Sequence, residues 1–153
     1  CVQARRCVIE DDFQPILAQM ARADGILLGA PTYHASIPCE LKALLDRAGF
    51  SGRWACNEMK KADEGYTWQG SLFSGKVVAP VTVARRAGQN FAFAQLLLWA
   101  ACNDCVIPGN TYWNVGVAGK GGAVDADGDS EGVGIMQGMA RRMVRTIEAL
   151  NRT

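Results

Sequence analysis

Apolar residues recur at helical spacing in four stretches of this chain, and these stretches predict four helices. The first helix is capped by the aspartates at 11 and 12, while the second begins at Pro38 and is expected to end at Gly49. The third helix runs over about residues 90–101, and the fourth is capped by Ser130. The inward-facing residues of the first, second and fourth helices are Phe13, Ile16, Leu17 and Met20, then Leu41, Leu44, Leu45 and Ala48, then Ile135, Met139, Met143, Ile147 and Leu150.

Between these helices lie short apolar runs without polar alternation, a pattern typical of strands buried on both faces of a parallel sheet. The first run is residues 25–30, which are followed by Pro31. The second is the Val-rich run 76–83, although its Pro80 lacks an N–H donor and is unusual in an inner strand. A third strand is expected near Tyr112.

Strands that alternate with helices predict one α/β domain over residues 1–153, with a doubly wound parallel sheet between two layers of helices. Two segments show neither helical nor strand periodicity. We expect a surface excursion at residues 51–74 and a Gly- and Asp-rich loop at residues 116–129. In sheets of this kind ligands bind outside the carboxyl ends of the strands, where the strand order reverses. The loops at residues 31–38 and 84–89 are therefore the candidate site.

Composition narrows the class of protein without changing the predicted fold. Hydrophobic residues make up 49% of the chain and charged residues 20%, as in an ordinary globular protein. The formal net charge of +1 favours neither nucleic acid nor an anionic membrane as a partner, and no apolar run approaches the roughly 20 residues of a membrane helix. No signal segment is visible, so a cytoplasmic location and reduced cysteines are expected.

The first loop, residues 31–38, combines apolar and polar side chains within a short segment. It holds a hydroxyl, an aromatic ring, an imidazole and a branched aliphatic side chain. A flat heteroaromatic ligand suits this mixture, because its faces are apolar and its edges are polar. The alternative is an ordinary strand-to-helix loop whose rings only pack, and composition alone leaves both interpretations open.

The second loop, residues 84–89, precedes the third predicted helix and carries Arg85 and Arg86. A helix N-terminus has unpaired N–H donors and partial positive charge, so it favours anions. The two arginines add fixed positive charge at the same place. The alternative is that both arginines are solvated surface residues.

Four separated segments, covering nearly the whole chain, resemble the NADPH-dependent FMN reductases and, more narrowly, their iron–sulfur flavoprotein branch. The segments are GAPTYHASIP continuing through LKALLDR within residues 29–47, VARRAGQN at 83–90, PGNTYWN at 108–114 and DSEG at 129–132. They occur in the same order as in the family. The resemblance implies a flavodoxin-like fold, three-layered as α/β/α, that binds FMN.

By this resemblance, both candidate loops border the isoalloxazine ring of FMN. The residues implied for the first loop are Pro31, Thr32, Tyr33 and His34, with Ile37 nearby. The residues implied for the second loop are Ala84, Arg85, Arg86, Gly88 and Gln89. No catalytic side chain is assigned, because the flavin itself carries the chemistry.

Members of the family use NAD(P)H to reduce FMN and pass the electrons to quinones, free flavin, metal ions or protein partners. The resemblance implies an oxidoreductase of the same kind here, in which the two arginines favour the more negative, reduced flavin. Two alternatives stay open. One is a flavodoxin-type electron carrier without a nicotinamide site, against which the net charge of +1 argues because such carriers tend to be acidic. The other is a flavin-binding regulator with little turnover.

Cys1 and Cys7 resemble the end of the cysteine cluster of the iron–sulfur branch, in which four closely spaced thiolates hold a [4Fe–4S] centre. Only two of the four are visible in the sequence, and many relatives keep a partial set with no cluster. A domain without the cluster, and without another metal site, is therefore expected.

Two further features are implied by the resemblance. Relatives begin with a strand and a Ser- and Gly-rich loop for the FMN phosphate, and we expect both upstream of Cys1, because the first strand is central in the order 2-1-3-4-5. Relatives also suggest a homodimer or homotetramer with flavins near the subunit boundary. Large apolar residues outside the periodic elements are candidates for that boundary. They are Trp54, Tyr66, Trp68, Leu72, Phe73, Tyr112 and Trp113.

Overall fold

The computed structural model describes residue 1 and residues 3–57, 69–119 and 128–152. Within these ranges the chain forms four helices and three strands in alternation, as the sequence predicts. The elements are α1 (Phe13–Arg22), β1 (Gly25–Pro31), α2 (Cys39–Cys56), β2 (Val77–Ala84), α3 (Gln89–Cys102), β3 (Val115–Val117) and α4 (Ser130–Leu150). No helix in this described part of the chain is both long and apolar enough to cross a membrane.

The three strands form a parallel sheet in the order β1-β2-β3. The register pairs Gly25 with Val77 and Pro31 with Val83, so β1 and β2 end at the same edge of the sheet. Strand β3 pairs only with the last three residues of β2. All three carboxyl ends, and the loops that follow them, therefore meet at one edge.

Helices cover both faces of β2, which confirms the predicted doubly wound arrangement. On one face, Val78 belongs to a core cluster with Leu45 of α2 and Leu96 of α3. On the other face, Val77 packs with Met143 of α4. Because successive residues of a strand point to opposite faces, this double burial accounts for the uninterrupted apolar run.

Strand β1 departs from the prediction that it is buried on both faces. Leu28 lies in the core, but Leu27 on the opposite face is 59% exposed in the described structure. Helix α4 covers only the beginning of that face, at Gly25, where an added Cβ would lie 2.5 Å from Met143 Cε. The strand expected to precede the chain stays a prediction.

Strand β3 lies three residues beyond the predicted position near Tyr112. Val106 first forms an isolated parallel bridge with Val77, and the chain then leaves the sheet over residues 107–113. It returns at Asn114, whose carbonyl accepts the N–H of Thr82 at 3.1 Å. Tyr112 therefore lies in a segment that bulges out of the sheet.

The departure of residues 107–113 from the sheet explains how Pro80 is tolerated in β2. Val78 and Thr82 donate their N–H groups toward the β3 side, to Val106 and Asn114, and residue 80 faces the same side. Pro80 has no N–H to donate, and its position coincides with the gap in the ladder. Its carbonyl instead accepts the side-chain amide of Asn114 at 3.2 Å.

Helix α2 continues to Cys56, so the prediction that Gly49 ends it is wrong. Gly49 is a packing residue, because Trp99 Nε1 and Asn103 Oδ1 lie 3.3 Å from the position of an added Cβ. The same close approach lets Trp99 Nε1 donate to the carbonyl of Leu45 at 2.7 Å. A side chain at residue 49 would push α2 and α3 apart.

The prediction that residues 51–74 form a surface excursion is also wrong in part. Residues 51–56 complete α2, and Phe73 is fully buried, with its ring centroid 5.2 Å from that of Trp99. Two aromatic residues of the excursion, Tyr66 and Trp68, lie outside the described residues. Phe73 therefore belongs to the subunit's own core and is not an interface residue.

Helix α4 is capped by Asp129 and not by Ser130, which is its first residue. One carboxylate oxygen of Asp129 accepts the N–H of Gly132 at 2.9 Å, and the other accepts the N–H of Val117 at 2.7 Å. These two backbone hydrogen bonds hold the pKa of Asp129 below its ordinary value of 3.8. One side chain thus joins the start of α4 to the end of β3.

Replacing Asp129 with alanine is expected to lower the free energy of unfolding by about 1 kcal/mol, the typical effect of losing a cap. The pKa of the carboxyl is lowered in the folded state, so its contribution is complete above the unfolded pKa of 3.8 and is lost as the pH falls through the folded pKa. Urea denaturation at pH 7 and pH 3 measures both effects. Ser130→Ala is the control, and an equal loss in that variant would contradict the assignment of the cap.

Candidate functional site

The loops at residues 31–38 and 84–89 meet at the carboxyl edge of the sheet. Gly88 has a φ of +90°, and an added Cβ would lie 3.1 Å from Ala35 Cα. The N–H of Thr32 donates to the carbonyl of Val83 at 2.8 Å and extends the pairing of β1 and β2 beyond β1. The two candidate loops therefore form one continuous surface.

The first loop contains a tight turn at its tip. The backbone groups of Tyr33 and Ser36 exchange two hydrogen bonds of 2.9 Å each. The two residues between them have left-handed backbones, with φ of 49° at His34 and 60° at Ala35. Left-handed non-glycine residues are unusual and cluster at functional sites. The turn leaves the Tyr33 ring 61% exposed at the edge of the sheet.

The base of the first loop is anchored to α3 through Gln95. The Oε1 atom of Gln95 accepts the Ser36 hydroxyl at 3.1 Å and the N–H of Ile37 at 3.2 Å. The side chain of Ile37 is buried in the core cluster with Leu45 and supports the loop from below. Of the first-loop residues expected near the ligand, Ile37 is thus the one that lies beneath the surface.

The second loop presents positive charge at the start of α3. Arg85 and Arg86 are exposed, whereas Ala84 is buried at the end of β2. Gly88 is the N-cap residue of α3, and no side chain caps this helix end. The first turn holds no acidic residue, so the partial positive charge of the helix adds to that of the arginines. This side of the site favours an anionic group.

Two buried polar atoms of these loops have no hydrogen-bond partner among the described residues. They are Oγ1 of Thr32 in the first loop and Oε1 of Gln89 in the second. An unsatisfied buried polar group costs about 1–3 kcal/mol, and native proteins usually satisfy such groups. A ligand with hydrogen-bonding groups along its edge would supply both partners. The site therefore fits a flat molecule with a polar edge and an anionic side.

Cys7, one of the two cysteines considered as cluster ligands, is buried between α1 and α2. Arg47 donates to its sulfur at 3.3 Å and forms two hydrogen bonds of 2.8 Å with the carboxylate of Asp11. Burial raises the pKa of Cys7, but hydrogen bonds from the N–H of Ile9 and from Arg47 outweigh it, and the net pKa is lowered. Cys7 is therefore a thiol held by an arginine inside the fold.

The described residues do not form an iron–sulfur site of their own. Cys1 is exposed and Cys7 is buried, and no group of three or more potential metal ligands occurs within the described ranges. A [4Fe–4S] centre requires four thiolates, so the present donor set does not fit it.

Sequence reasoning missed three residues of this site: Ser36, Gln95 and the turn residue Ala35. Gln95 carried a signal, because it is the one polar residue in the apolar stretch from Phe91 to Cys102. A polar side chain in such a helix usually has a specific hydrogen-bond partner. Its partner, the first loop, lies nearly sixty residues away in sequence and is evident only from the fold.

A comparison with known families matches residues 1–120 to the NADPH-dependent FMN reductases. The iron–sulfur flavoprotein of Methanosarcina thermophila is 25% identical over 148 residues, which are 95% of this chain and 68% of that protein. The FMN-dependent NADH:quinone oxidoreductase of Streptomyces avermitilis is 44% identical over 48 residues, which are 31% of this chain and 22% of that protein.

Among solved structures, the chain resembles RosB, determined with a bound 8-demethyl-8-formylriboflavin-5'-phosphate intermediate. The TM-score is 0.71 at 17% sequence identity, and the match covers 95% of this chain. The chain spans 56% of the length of the RosB chain. At this level of identity the likeness establishes the fold, which is flavodoxin-like.

Proposed function

This chain belongs to the NADPH-dependent FMN reductase family, and on that premise we propose that it binds FMN and transfers electrons from NAD(P)H to an acceptor such as a quinone, free flavin or a protein partner. The observation that carries the proposal is the meeting of the two loops at Ala35 and Gly88. The same two loops carry Thr32 Oγ1 and Gln89 Oε1, which have no hydrogen-bond partner among the described residues. These features support the proposal that the two loops bind the flavin.

The residues of the two loops fit the parts of FMN. The Tyr33 ring and Pro31 offer apolar surface for the flat ring system, and Thr32 and Gln89 offer polar atoms for its edge. The guanidinium of Arg86 adds positive charge next to the start of α3. When bound, FMN would supply the capacity to accept a hydride and release electrons to an acceptor.

The protein's own contribution is to bind, orient and stabilise charge. Positive charge from Arg85 and Arg86 stabilises the negative charge that a flavin gains on reduction, so these residues favour the reduced state. The turn at His34 places an imidazole at the exposed edge, where it can hydrogen bond to an incoming substrate. The exposure of Tyr33 leaves that edge open to donor and acceptor.

The decisive experiment measures FMN binding and NAD(P)H oxidation by the intact protein. Flavin absorbance in the purified protein, together with steady-state oxidation of NADPH or NADH in the presence of a quinone, supports the proposal. FMN binding without nicotinamide oxidation identifies an electron carrier instead. If the protein binds no FMN in a fluorescence titration, the two loops are not a flavin site.

Replacing Tyr33 and Arg86 together with alanine is expected to weaken FMN binding roughly 100-fold. The ring contact and the charged hydrogen bond contribute on the order of 1 and 2 kcal/mol respectively, and each 1.4 kcal/mol corresponds to tenfold in affinity. Fluorescence titration gives the dissociation constant. The matched variant Tyr33→Phe with Arg86→Lys keeps the ring and the charge and is expected to retain most of the affinity. An unchanged dissociation constant in the alanine variant would place the flavin elsewhere.

A further inference from the structure

Helices α2 and α3 enclose a groove with a volume of about 360 Å³. Its walls are largely apolar, and two of the wall residues, Phe50 and Leu98, are 57% and 69% exposed. This volume and an apolar lining are typical of sites for small molecules, in which a few polar groups fix the ligand. The charged residues Lys42 and Asp46 at its margin are paired with each other. The polar groups at the end of α3 therefore decide what the groove can bind.

Asn103 supplies one of these polar groups. It is 2% exposed, and its Nδ2 atom donates to the Trp99 carbonyl at 2.8 Å. Its Oδ1 atom is buried and has no hydrogen-bond partner among the described residues. This oxygen lies 3.3 Å from the position of an added Cβ at Gly49, and both residues line the groove. Because Gly49 has no side chain, a ligand N–H can approach an oxygen of the kind that native proteins usually satisfy.

Cys102, the last residue of α3, contributes an exposed thiol to the same groove. Arg53 of α2 donates to its sulfur at 2.7 Å and to its carbonyl at 2.6 Å. The C-terminal end of a helix disfavours negative charge, and the guanidinium opposes that effect. Because the thiolate is the nucleophile and a neighbouring arginine favours it, the Cys102 sulfur is placed to react with an electrophile in the groove.

Another exposed cysteine of these two helices has the opposite surroundings. Cys39 begins α2, and its thiol donates a hydrogen bond to the carboxylate of Glu40. A neighbouring negative charge disfavours a thiolate. Cys39 is therefore an internal control for the reactivity of Cys102.

Cys105, three residues after Cys102, is turned into the core. Its sulfur lies 3.5 Å from the carbonyl oxygen of Phe73, and it packs against two of the core clusters. Burial and the carboxylate of Asp104 raise the pKa of Cys105 to about 12, so this thiol stays protonated at neutral pH. A protonated thiol is a poor nucleophile, so Cys105 does not displace a group that is bound to Cys102 through a disulfide.

We propose that Cys102 is a thiol–disulfide exchange site, at which the groove binds a small amide-bearing disulfide and retains one half of it. The Cys102 sulfur, having released its proton to water, attacks one sulfur of the disulfide. The S–S bond of the small molecule breaks as the new bond to Cys102 forms, and the other half leaves with the electron pair and takes up a proton. One disulfide is consumed and one is formed, so no further oxidant is required. The amide N–H of the retained half donates to Asn103 Oδ1.

This exchange site is separate from the flavin loops. Helix α3 has 14 residues and is about 21 Å long, and Gly88 and Cys102 lie at its opposite ends. FMN takes no part in the exchange. The inference therefore stands or fails independently of the proposed function.

Mass spectrometry of the intact protein and of its peptides, after incubation with N,N′-diacetylcystamine at neutral pH, tests the exchange. One added thiol half is expected at Cys102, and its rate of addition is expected to be about tenfold higher than at Cys39. Cys102→Ser is expected to lose this adduct, and the matched variant Cys39→Ser to keep it. Equal rates at the two cysteines, or a Cys102–Cys105 disulfide in place of the adduct, overturn the proposal.

Substitution of Arg53 tests the contact with the sulfur. Arg53→Gln is expected to slow the reaction of Cys102 about tenfold and to leave the rate at Cys39 unchanged. Arg53→Lys keeps the positive charge and is expected to keep most of the rate. If Cys102 reacts as fast in Arg53→Gln as in the wild type, the guanidinium does not activate this thiol and the proposal is overturned.

A second reagent tests the recognition of the amide in the wild-type protein, so this measurement does not depend on the folding of a variant. Diethyl disulfide has no amide N–H for Asn103 Oδ1. The ratio of the rate at Cys102 to the rate at Cys39 cancels the intrinsic reactivity of each reagent. This ratio is expected to be about fivefold smaller with diethyl disulfide than with N,N′-diacetylcystamine, the effect of one hydrogen bond. Equal ratios for the two reagents overturn the amide-binding role of the groove.

Discussion

Replacing Gly88 with valine is expected to weaken FMN binding by roughly 100-fold or more while the sheet stays folded. At a φ of +90° a β-branched residue is strained, which costs on the order of 1–3 kcal/mol. In addition, the new Cβ would lie 3.1 Å from Ala35 Cα, so the two loops must separate. Separation disrupts the continuous surface that the two loops form at the Ala35–Gly88 contact.

A second glycine distinguishes the loop contact from the backbone strain. Gly75 has a φ of +75°, but an added Cβ there would have no neighbour within 4 Å. Gly75→Val is therefore expected to lose stability without losing FMN affinity. Fluorescence titration and thermal unfolding monitored by circular dichroism measure the two properties. Equal FMN affinities for Gly88→Val and the wild type would show that the loop contact does not shape the flavin site.

Replacing Asn114 with leucine is expected to lower the free energy of unfolding by about 3 kcal/mol. Asn114 is buried, and its amide nitrogen donates to the Pro80 carbonyl at 3.2 Å. Its side-chain oxygen accepts the Asn110 amide at 2.7 Å. Leucine removes both hydrogen bonds and leaves the Pro80 carbonyl without its Asn114 partner, at a cost of about 1–3 kcal/mol. Asn110 loses one hydrogen bond, worth about 1 kcal/mol, and keeps its bond to the Ile135 carbonyl at 2.9 Å.

Urea denaturation measures the difference in the free energy of unfolding between Asn114→Leu and the wild type, and Asn90→Leu is the control. Asn90 is exposed on α3, so its replacement is expected to change the free energy of unfolding by less than about 0.5 kcal/mol. If the free energy of unfolding falls by less than about 1 kcal/mol in Asn114→Leu, the hydrogen bonds of Asn114 do not stabilise the gap in the β2–β3 ladder beside Pro80.

The sequence alone was sufficient to predict the presence of the described helices, two of the strands, and the meeting of the two candidate loops at one edge of the sheet. Helical and strand periodicity are local properties, and the apolar stripe that contains Met139 and Met143 is read from a few neighbouring residues. The meeting of the two candidate loops follows as well, because strands that alternate with helices lie parallel and their carboxyl ends share an edge. The loops carrying Tyr33 and Arg86 could be selected for this reason.

Only the tertiary structure decided what the interrupting residues do. Gly49 lies inside a helix because Trp99 approaches it from another helix, and Pro80 lies inside a strand because residues 107–113 leave the sheet beside it. A prediction made from neighbouring residues alone treats glycine and proline as the ends of helices and strands, because it does not include residues that are distant in sequence. The same holds for Gln95, whose hydrogen bonds to the first loop span nearly sixty residues. Such contacts depend on which surfaces the fold brings together, and the spacing of apolar residues along the sequence does not indicate them.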